Sequence, residues 1–238
     1  MLKKLLLSGA AASGLLFVSA AHAAPILLID NFDTTLTAGF VVVAPFTTVT
    51  DLSTGSGILD GDRELIISHT GPTAVSPFIF AQVTGSEFTH NNGATSTGTS
   101  LLRWDGSGNA VTTLDFDLNG GSGYDLSGAN LAVHISVSNA DLTGSSVTLT
   151  MYNDGANFGS AIVVLPNGPS EHFLSLSSLV ATGAFSLASV TAIELFANGG
   201  PSFDVAIDII EVVPEPLTIG LFGLGLIGAG AMRRRVKA

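Results

Sequence analysis

The sequence has no cysteine, which excludes disulfides, thiolate nucleophiles and cysteine-ligated metal centres, so the core must supply the stability. Positive charge is nearly as scarce. Eight lysines and arginines stand against 19 aspartates and glutamates in 238 residues, a formal net charge of −11. The basic residues gather at the two ends: only Arg63 and Arg103 fall between residues 24 and 212, where 18 acids bring the net charge to −16. Such a segment repels anionic lipid and excludes nucleic acid as a partner, while it suits divalent cations. Polar-edged aromatic rings are limited to Trp104, Tyr124 and Tyr152. Neither H-E-x-x-H nor G-x-S-x-G occurs, so zinc-protease and nucleophile-elbow chemistry find no motif here. Glu87-Phe88-Thr89-His90 puts a carboxylate near an imidazole, but its Thr, Asn and Gly surroundings read as a solvated loop. Glycoside hydrolysis needs two carboxylates about 5 to 9 Å apart in a cleft. With 18 acids some pair can always be nominated, so none is, and the chain reads as no enzyme.

What the chain does have is a pair of unusual ends. Lys3 and Lys4 precede an apolar run from Leu5 to Val18, and Ala21-His22-Ala23 follows with the small-x-small pattern of a signal-peptidase site. Residues 1–23 are therefore expected to be a signal peptide, with cleavage fixed by Ala21 and Ala23 and a mature start at Ala24. At the other end Val213-Pro214-Glu215-Pro216 precedes 16 charge-free residues, Leu217 to Met232, and then Arg233, Arg234 and Arg235. As a helix that stretch spans about 24 Å, marginal against a hydrocarbon core of about 30 Å. Gly220, Gly223, Gly225, Gly228 and Gly230 weaken it further. The arginines should stay cytoplasmic, giving a single-pass anchor with its C-terminus inside. Pro214 and Pro216 are expected to hold an extended, exposed linker that cannot continue a strand. Gly223-Leu224-Gly225-Leu226-Ile227-Gly228 spells G-x-G-x-x-G, but no acid follows it and the context is an apolar helix, so it is no nucleotide site.

The order Val-Pro-Glu-Pro, glycine-rich apolar helix and terminal arginines resembles the PEP-CTERM sorting signal, over residues 213–238. That resemblance implies export across the inner membrane of a Gram-negative bacterium that makes exopolysaccharide. It also implies processing near the Pro-Glu-Pro by exosortase, an integral-membrane cysteine protease. The processing partners would be signal peptidase and exosortase, and the destination the cell envelope or the extracellular space. The signal names a route and leaves the activity of residues 24–212 open.

Those roughly 190 residues suit one domain. Leu131, Val133, Ile135 and Val137 alternate with small or polar residues, as do Val147, Leu149 and Met151, and Phe203, Val205, Ile207 and Ile209. Period two means half-buried strands. Further strands are expected at 26–30, 40–50, 64–69, 77–83, 110–118 and 189–197, with a short helical turn at 176–182. Gly, Ser, Asn and Pro clusters at 53–57, 91–98, 105–109, 119–123, 153–160 and 166–169 punctuate them. Many short strands with polar turns predict an all-β antiparallel sandwich, jelly-roll-like. The phrases Asp30-Asn31-Phe32-Asp33, Gly61-Asp62-Arg63-Glu64-Leu65, Tyr124-Asp125-Leu126-Ser127-Gly128 and Ala192-Ile193-Glu194-Leu195 also resemble other cargo of this sorting class, and jelly-roll carbohydrate-binding modules.

Two ligand sites are nominated. Asp115-Phe116-Asp117-Leu118-Asn119-Gly120 matches the first half of the calcium-loop pattern, with oxygens from Asp115, Asp117 and Asn119. Its twelfth position is Leu126 instead of glutamate, and the competing reading is two solvated aspartates before a turn. A structural calcium ion is the one cofactor these residues suggest, and the module resemblance implies the same. His134 and Tyr152 fall on the polar sides of their strands and are expected to share a ligand face, with Glu194 and Phe196 together on the non-core side of theirs. The functional expectation is an exported, non-catalytic envelope or extracellular-matrix protein associated with exopolysaccharide or biofilm. The alternative is a carbohydrate-binding module with a specific glycan site, and the third reading a glycan-active enzyme.

Overall fold

The computed structural model describes residues 24–35, 40–44, 47–71, 79–106, 113–142 and 145–215. The expected signal peptide with Ala21 and Ala23, the Leu217–Met232 helix, Pro216 and the arginines 233–235 lie outside the described residues. Ala24–Glu215 forms one compact unit. Its strands are β1 (Leu27–Asp30), β2 (Phe40–Val43), β3 (Thr48–Thr54), β4 (Asp62–His69), β5 (Ile79–Val83), β6 (Phe88–Asn92) and β7 (Gly98–Trp104). They continue with β8 (Leu131–Ala140), β9 (Ser146–Asp154), β10 (Asn157–Val164), β11 (Ser170–Ser175), β12 (Val180–Thr182), β13 (Ala192–Gly199) and β14 (Asp204–Pro214).

The strands form two seven-stranded antiparallel sheets. Sheet I runs β11-β8-β14-β6-β5-β2, with β1 also on β14, and sheet II runs β12-β10-β9-β13-β7-β4-β3. The chain changes sheet between β2 and β3, β4 and β5, β6 and β7, β7 and β8, β8 and β9, β10 and β11, β11 and β12, and β13 and β14. This is the expected all-β, jelly-roll-like sandwich. Alternation explains the core: Leu65, Ile67, Leu102, Trp104, Leu149, Met151, Ile193 and Leu195 of sheet II meet Ile79, Val83, Phe88, Val133, Ile135, Val205, Ile207 and Val212 of sheet I, all buried. The described helical residues are two single 3₁₀ turns, Leu59–Gly61 and Leu176–Ser178, the second inside the stretch where a helical turn is expected.

Several local expectations fail for identifiable reasons. The 40–50 stretch divides into β2 and β3, which belong to different sheets. Residues 113–118 of the expected 110–118 strand are a loop that enters a turn at 118–122. The 153–160 cluster is mostly β9 and β10, joined by a tight turn at Gly155-Ala156. Glu87-Phe88-Thr89-His90 is no solvated loop. It opens β6, an interior strand of sheet I in which Phe88, His90 and Asn92 are buried. Polar composition hid this strand because its buried polar groups satisfy one another: His90 Nδ1 meets Ser100 Oγ at 2.6 Å and Nε2 meets Asn92 Oδ1 at 3.0 Å.

The Pro-Glu-Pro linker is the other correction. β14 runs through Val213 and Pro214, with Pro214 opposite Leu131, and Glu215 N donates to Asn130 O at 2.7 Å. Val213 is buried. Proline is tolerated because neighbouring N–H groups point to opposite sides of a strand. Glu215 donates towards β8, so the N–H that Pro214 lacks would point to the other side, where the ladder with β1 ends at Val212.

Candidate functional site

Sheet II presents an outer face whose side chains follow from register. One row reads Val164, Ser146, Asn198, Thr99, Ser68, Thr48. The next is apolar at its centre: Ile162, Thr148, Phe196, Leu101, Ile66, Thr50. Beside it lies a charged row, Val180, Ser160, Thr150, Glu194, Arg103, Glu64, Leu52. Six strands spaced about 4.8 Å apart make the first two rows about 24 Å long, and β12 extends the charged row by one strand more. Ile162 is 67 % exposed, and Phe196, Leu101 and Ile66 are half-buried.

The charged row is internally satisfied. Arg103 Nε donates to Glu194 Oε1 at 2.9 Å, Arg103 Nη1 to Glu64 Oε2 at 3.1 Å, and Tyr152 Oη to Glu194 Oε2 at 2.6 Å. Burial, reinforced by the nearby Asp105 carboxylate and opposed by Arg103, pushes Glu64 up to about 7. Burial likewise pushes Asp105 up to about 6. The 113–118 loop closes over this end: Asp115 N donates to Asp105 Oδ2 at 2.7 Å, and the Phe116 ring lies 6.1 Å from that of Tyr152. Phe158 approaches Tyr152 from the other side at 5.6 Å. Tyr152 thus joins Glu194 and Phe196 on one face.

His134 does not share that face. β8 belongs to sheet I and β9 to sheet II, so the two do not form a hairpin and their polar sides point out of opposite sides of the sandwich. His134 is buried on the outside of sheet I, with Nδ1 2.9 Å from Glu211 Oε1 and Nε2 2.5 Å from Glu171 Oε2. Phe173 stacks on it at 4.6 Å and 11°. It is a packed structural group.

The calcium half-motif closes on itself. Asp117 N donates to Asp105 O, Gly121 N to Asp117 O, and Asn119 Nδ2 to Gly123 O at 3.0 Å. Asn119 N bonds the Asp60 carboxylate, and Tyr124 Oη donates to the same group at 2.5 Å. Among the described residues, no group of three or more His, Asp or Glu side chains is placed to hold a metal ion.

A buried cluster that residue patterns do not reveal ties two of the quoted phrases together, Asp30-Asn31-Phe32-Asp33 and Gly61-Asp62-Arg63-Glu64-Leu65. Arg63, fully buried, donates from Nη1 to both oxygens of Asp30 (3.1 and 3.0 Å) and from Nη2 to Thr34 O at 2.7 Å. Trp104 Nε1 and Phe32 N also donate to Asp30, at 3.0 and 2.8 Å. The sequence signal was only that the two central cations were scarce; both prove to be internal counter-ions.

Fold and faces together define an antiparallel jelly-roll-like sandwich domain with one amphipathic sheet face. Among solved structures, it is similar to the family 11 carbohydrate-binding module of the cellulase Lic26A-Cel5E of Clostridium thermocellum, at 9 % identity and a TM-score of 0.39, over 79 % of this chain and 93 % of that one. The family 11 module from the same organism in complex with a beta-1,3-1,4-mixed-linked tetrasaccharide gives 8 % and 0.39, over 79 % and 95 %. The CBM22-1–GH10 modules of its xylanase 10B, complexed with xylohexaose, give 10 % and 0.30, over 82 % and 29 %. No curated protein sequence matches the chain. Residues 212–235 match the PEP-CTERM protein-sorting motif. The chain therefore carries the signal of an exported, exosortase-sorted protein.

Proposed function

We propose that the chain is a non-catalytic component of the cell envelope or extracellular matrix that associates with extracellular polysaccharide through the outer face of sheet II. The observation that carries this reading is the set of parallel rows. Hydroxyl and amide groups, an apolar strip with Phe196, and the Glu194–Arg103–Glu64 row, to which Tyr152 is hydrogen-bonded, run side by side across sheet II. A sugar chain has both apolar ring faces and hydroxyl edges, and such a surface meets both at once. The acidic carboxylates support a non-catalytic role, because Glu64 and Glu194 are both committed to Arg103. Before processing, the Leu217–Met232 helix would hold the protein in the membrane with its arginines inside.

Co-sedimentation of the exported protein with the producing strain's own exopolysaccharide tests this. Retention is expected, with at least a tenfold loss in a Phe196→Ala, Tyr152→Ala double variant that keeps the wild-type circular dichroism spectrum. Absence of retention refutes the association, and release of new reducing ends refutes the non-catalytic role.

A further inference from the structure

On the opposite side of the sandwich, register sets two short rows of sheet I next to each other: Phe80, Asn91, Asp204, and Gln82, Thr89, Ala206, Asn139. They line a shallow groove of about 190 Å³. Its floor is low because Ala206 carries only a methyl group. Asn91 bonds the Asp204 carboxylate and His90 is held by Ser100 and Asn92, but among the described residues Gln82 and Asn139 make no side-chain hydrogen bond, and Thr89 Oγ1 and Asp204 Oδ1 are buried without a partner. This contrasts with the sheet II charged row, where the groups are paired. Buried oxygens without partners are rare and costly, so the groove is unsatisfied as it stands. A hydroxyl-rich ligand that reorients Thr89 and Asp204 on entry would supply the missing bonds.

The chemistry narrows the ligand. Among the described residues no lysine or arginine lines the groove, and Asp141 accepts a hydrogen bond from Asp204 N at 2.8 Å, adding a second acid nearby. An anionic sugar, a phosphate or a sulfate would meet only like charge. The remaining complement is amide, hydroxyl and carboxylate groups around one half-buried phenyl ring. Drug-sized ligands occupy roughly 300–1,000 Å³, so this groove takes something smaller.

We propose that this groove is a binding subsite for a single neutral sugar residue, separate from the sheet II face and independent of it. The Phe80 ring would cover the apolar face of the pyranose, while Gln82, Asn91 and Asn139 would bond its hydroxyls and Asp204 would accept from one of them.

Side-chain amide resonances of Gln82, Asn91 and Asn139 report on it directly in the exported, ¹⁵N-labelled protein. Titration with glucose, galactose, mannose and N-acetylglucosamine should shift these resonances for at least one sugar, and glucuronate should leave them in place. An Asn139→Ala, Gln82→Ala variant removes two side chains that hold nothing else, so it should fold and bind at least tenfold more weakly by the remaining Asn91 shift. Phe196→Ala should leave the titration unchanged. Silence towards all four neutral sugars, equal shifts with glucuronate, or wild-type binding by the double variant each overturns the proposal. Exopolysaccharide retention by the sheet II face is scored separately, so either site can fail without the other.

Discussion

Arg63 and His90 are polar residues placed where apolar ones are the rule, and each is held by buried hydrogen-bond partners. Arg63 is 0 % exposed and faces an Asp30 carboxylate that also receives Trp104 Nε1–H and Phe32 N–H. Removing one member of a buried pair leaves the other uncompensated, which costs about 3–5 kcal/mol. Arg63→Met should therefore lower stability by that amount in urea unfolding followed by Trp104 fluorescence. A loss below about 1 kcal/mol would mean that the pair is dispensable. His90 titrates in the folded protein near 4, lowered by burial from an ordinary 6.5. Between these values the unfolded chain binds a proton that the folded one refuses. Its contribution is thus complete above about pH 6.5 and is lost as the pH falls towards 4. Glu64, Asp105 and Asp204, raised to about 7, 6 and 6, act in the opposite sense by taking up protons in the folded state first. The bare stability curve therefore mixes the two. The difference between wild type and His90→Gln isolates the histidine, and it should shrink by up to about 1.4 kcal/mol per pH unit on acidification through that window. A pH-independent difference would contradict a neutral buried ring.

Strand β14 is where the sorting signal and the fold overlap. The motif begins at residue 212, yet Val212 and Val213 are buried in the sandwich and Pro214 is still opposite Leu131. A protease needs an unpaired, extended segment in its active site, and ladder-bonded backbone does not offer one. Exosortase processing of the folded protein is therefore expected to leave Val213 and Pro214 on the mature chain, with a C-terminus at or beyond Glu215. Intact-mass spectrometry of the exported protein measures this, and a terminus before Val213 would show that processing acts on a chain whose last strand is undocked. The same element explains why the Pro-Glu-Pro stretch does not begin as an exposed linker. Proline forbids only one hydrogen bond, and whether that bond is needed depends on which neighbour lies on that side. Strand β6 makes a parallel point: Thr, Asn and His read as loop residues until Ser100 of β7, in the other sheet, and Asn92 are seen to satisfy the imidazole. For β8 and β9, period two correctly identified each strand and each polar side. It could not say that the connection between them changes sheet, which is why Tyr152 belongs to an amphipathic face and His134 to a packed one on the far side.

At the scale of the whole molecule, the acidic bias and the two closing sheets describe a protein suited to life outside the cell, with the sandwich held by its core and not by disulfides. A face of mixed apolar and hydroxyl character on sheet II and a polar groove on sheet I give it two separable surfaces. The sequence by itself determined the sorting route, the all-β class and most inward-facing positions. Cleavage and sorting signals are linear patterns met by extended chain, and a strand's buried side follows from its own alternation. Tertiary structure alone decided which strands share a sheet, that both central arginines are internal counter-ions, and that the last strand takes in the start of the sorting motif. These depend on contacts between residues far apart in the chain, such as Asp30 with Arg63 and Glu64 with Arg103 and Glu194. No local pattern encodes which distant partner will satisfy a buried charge.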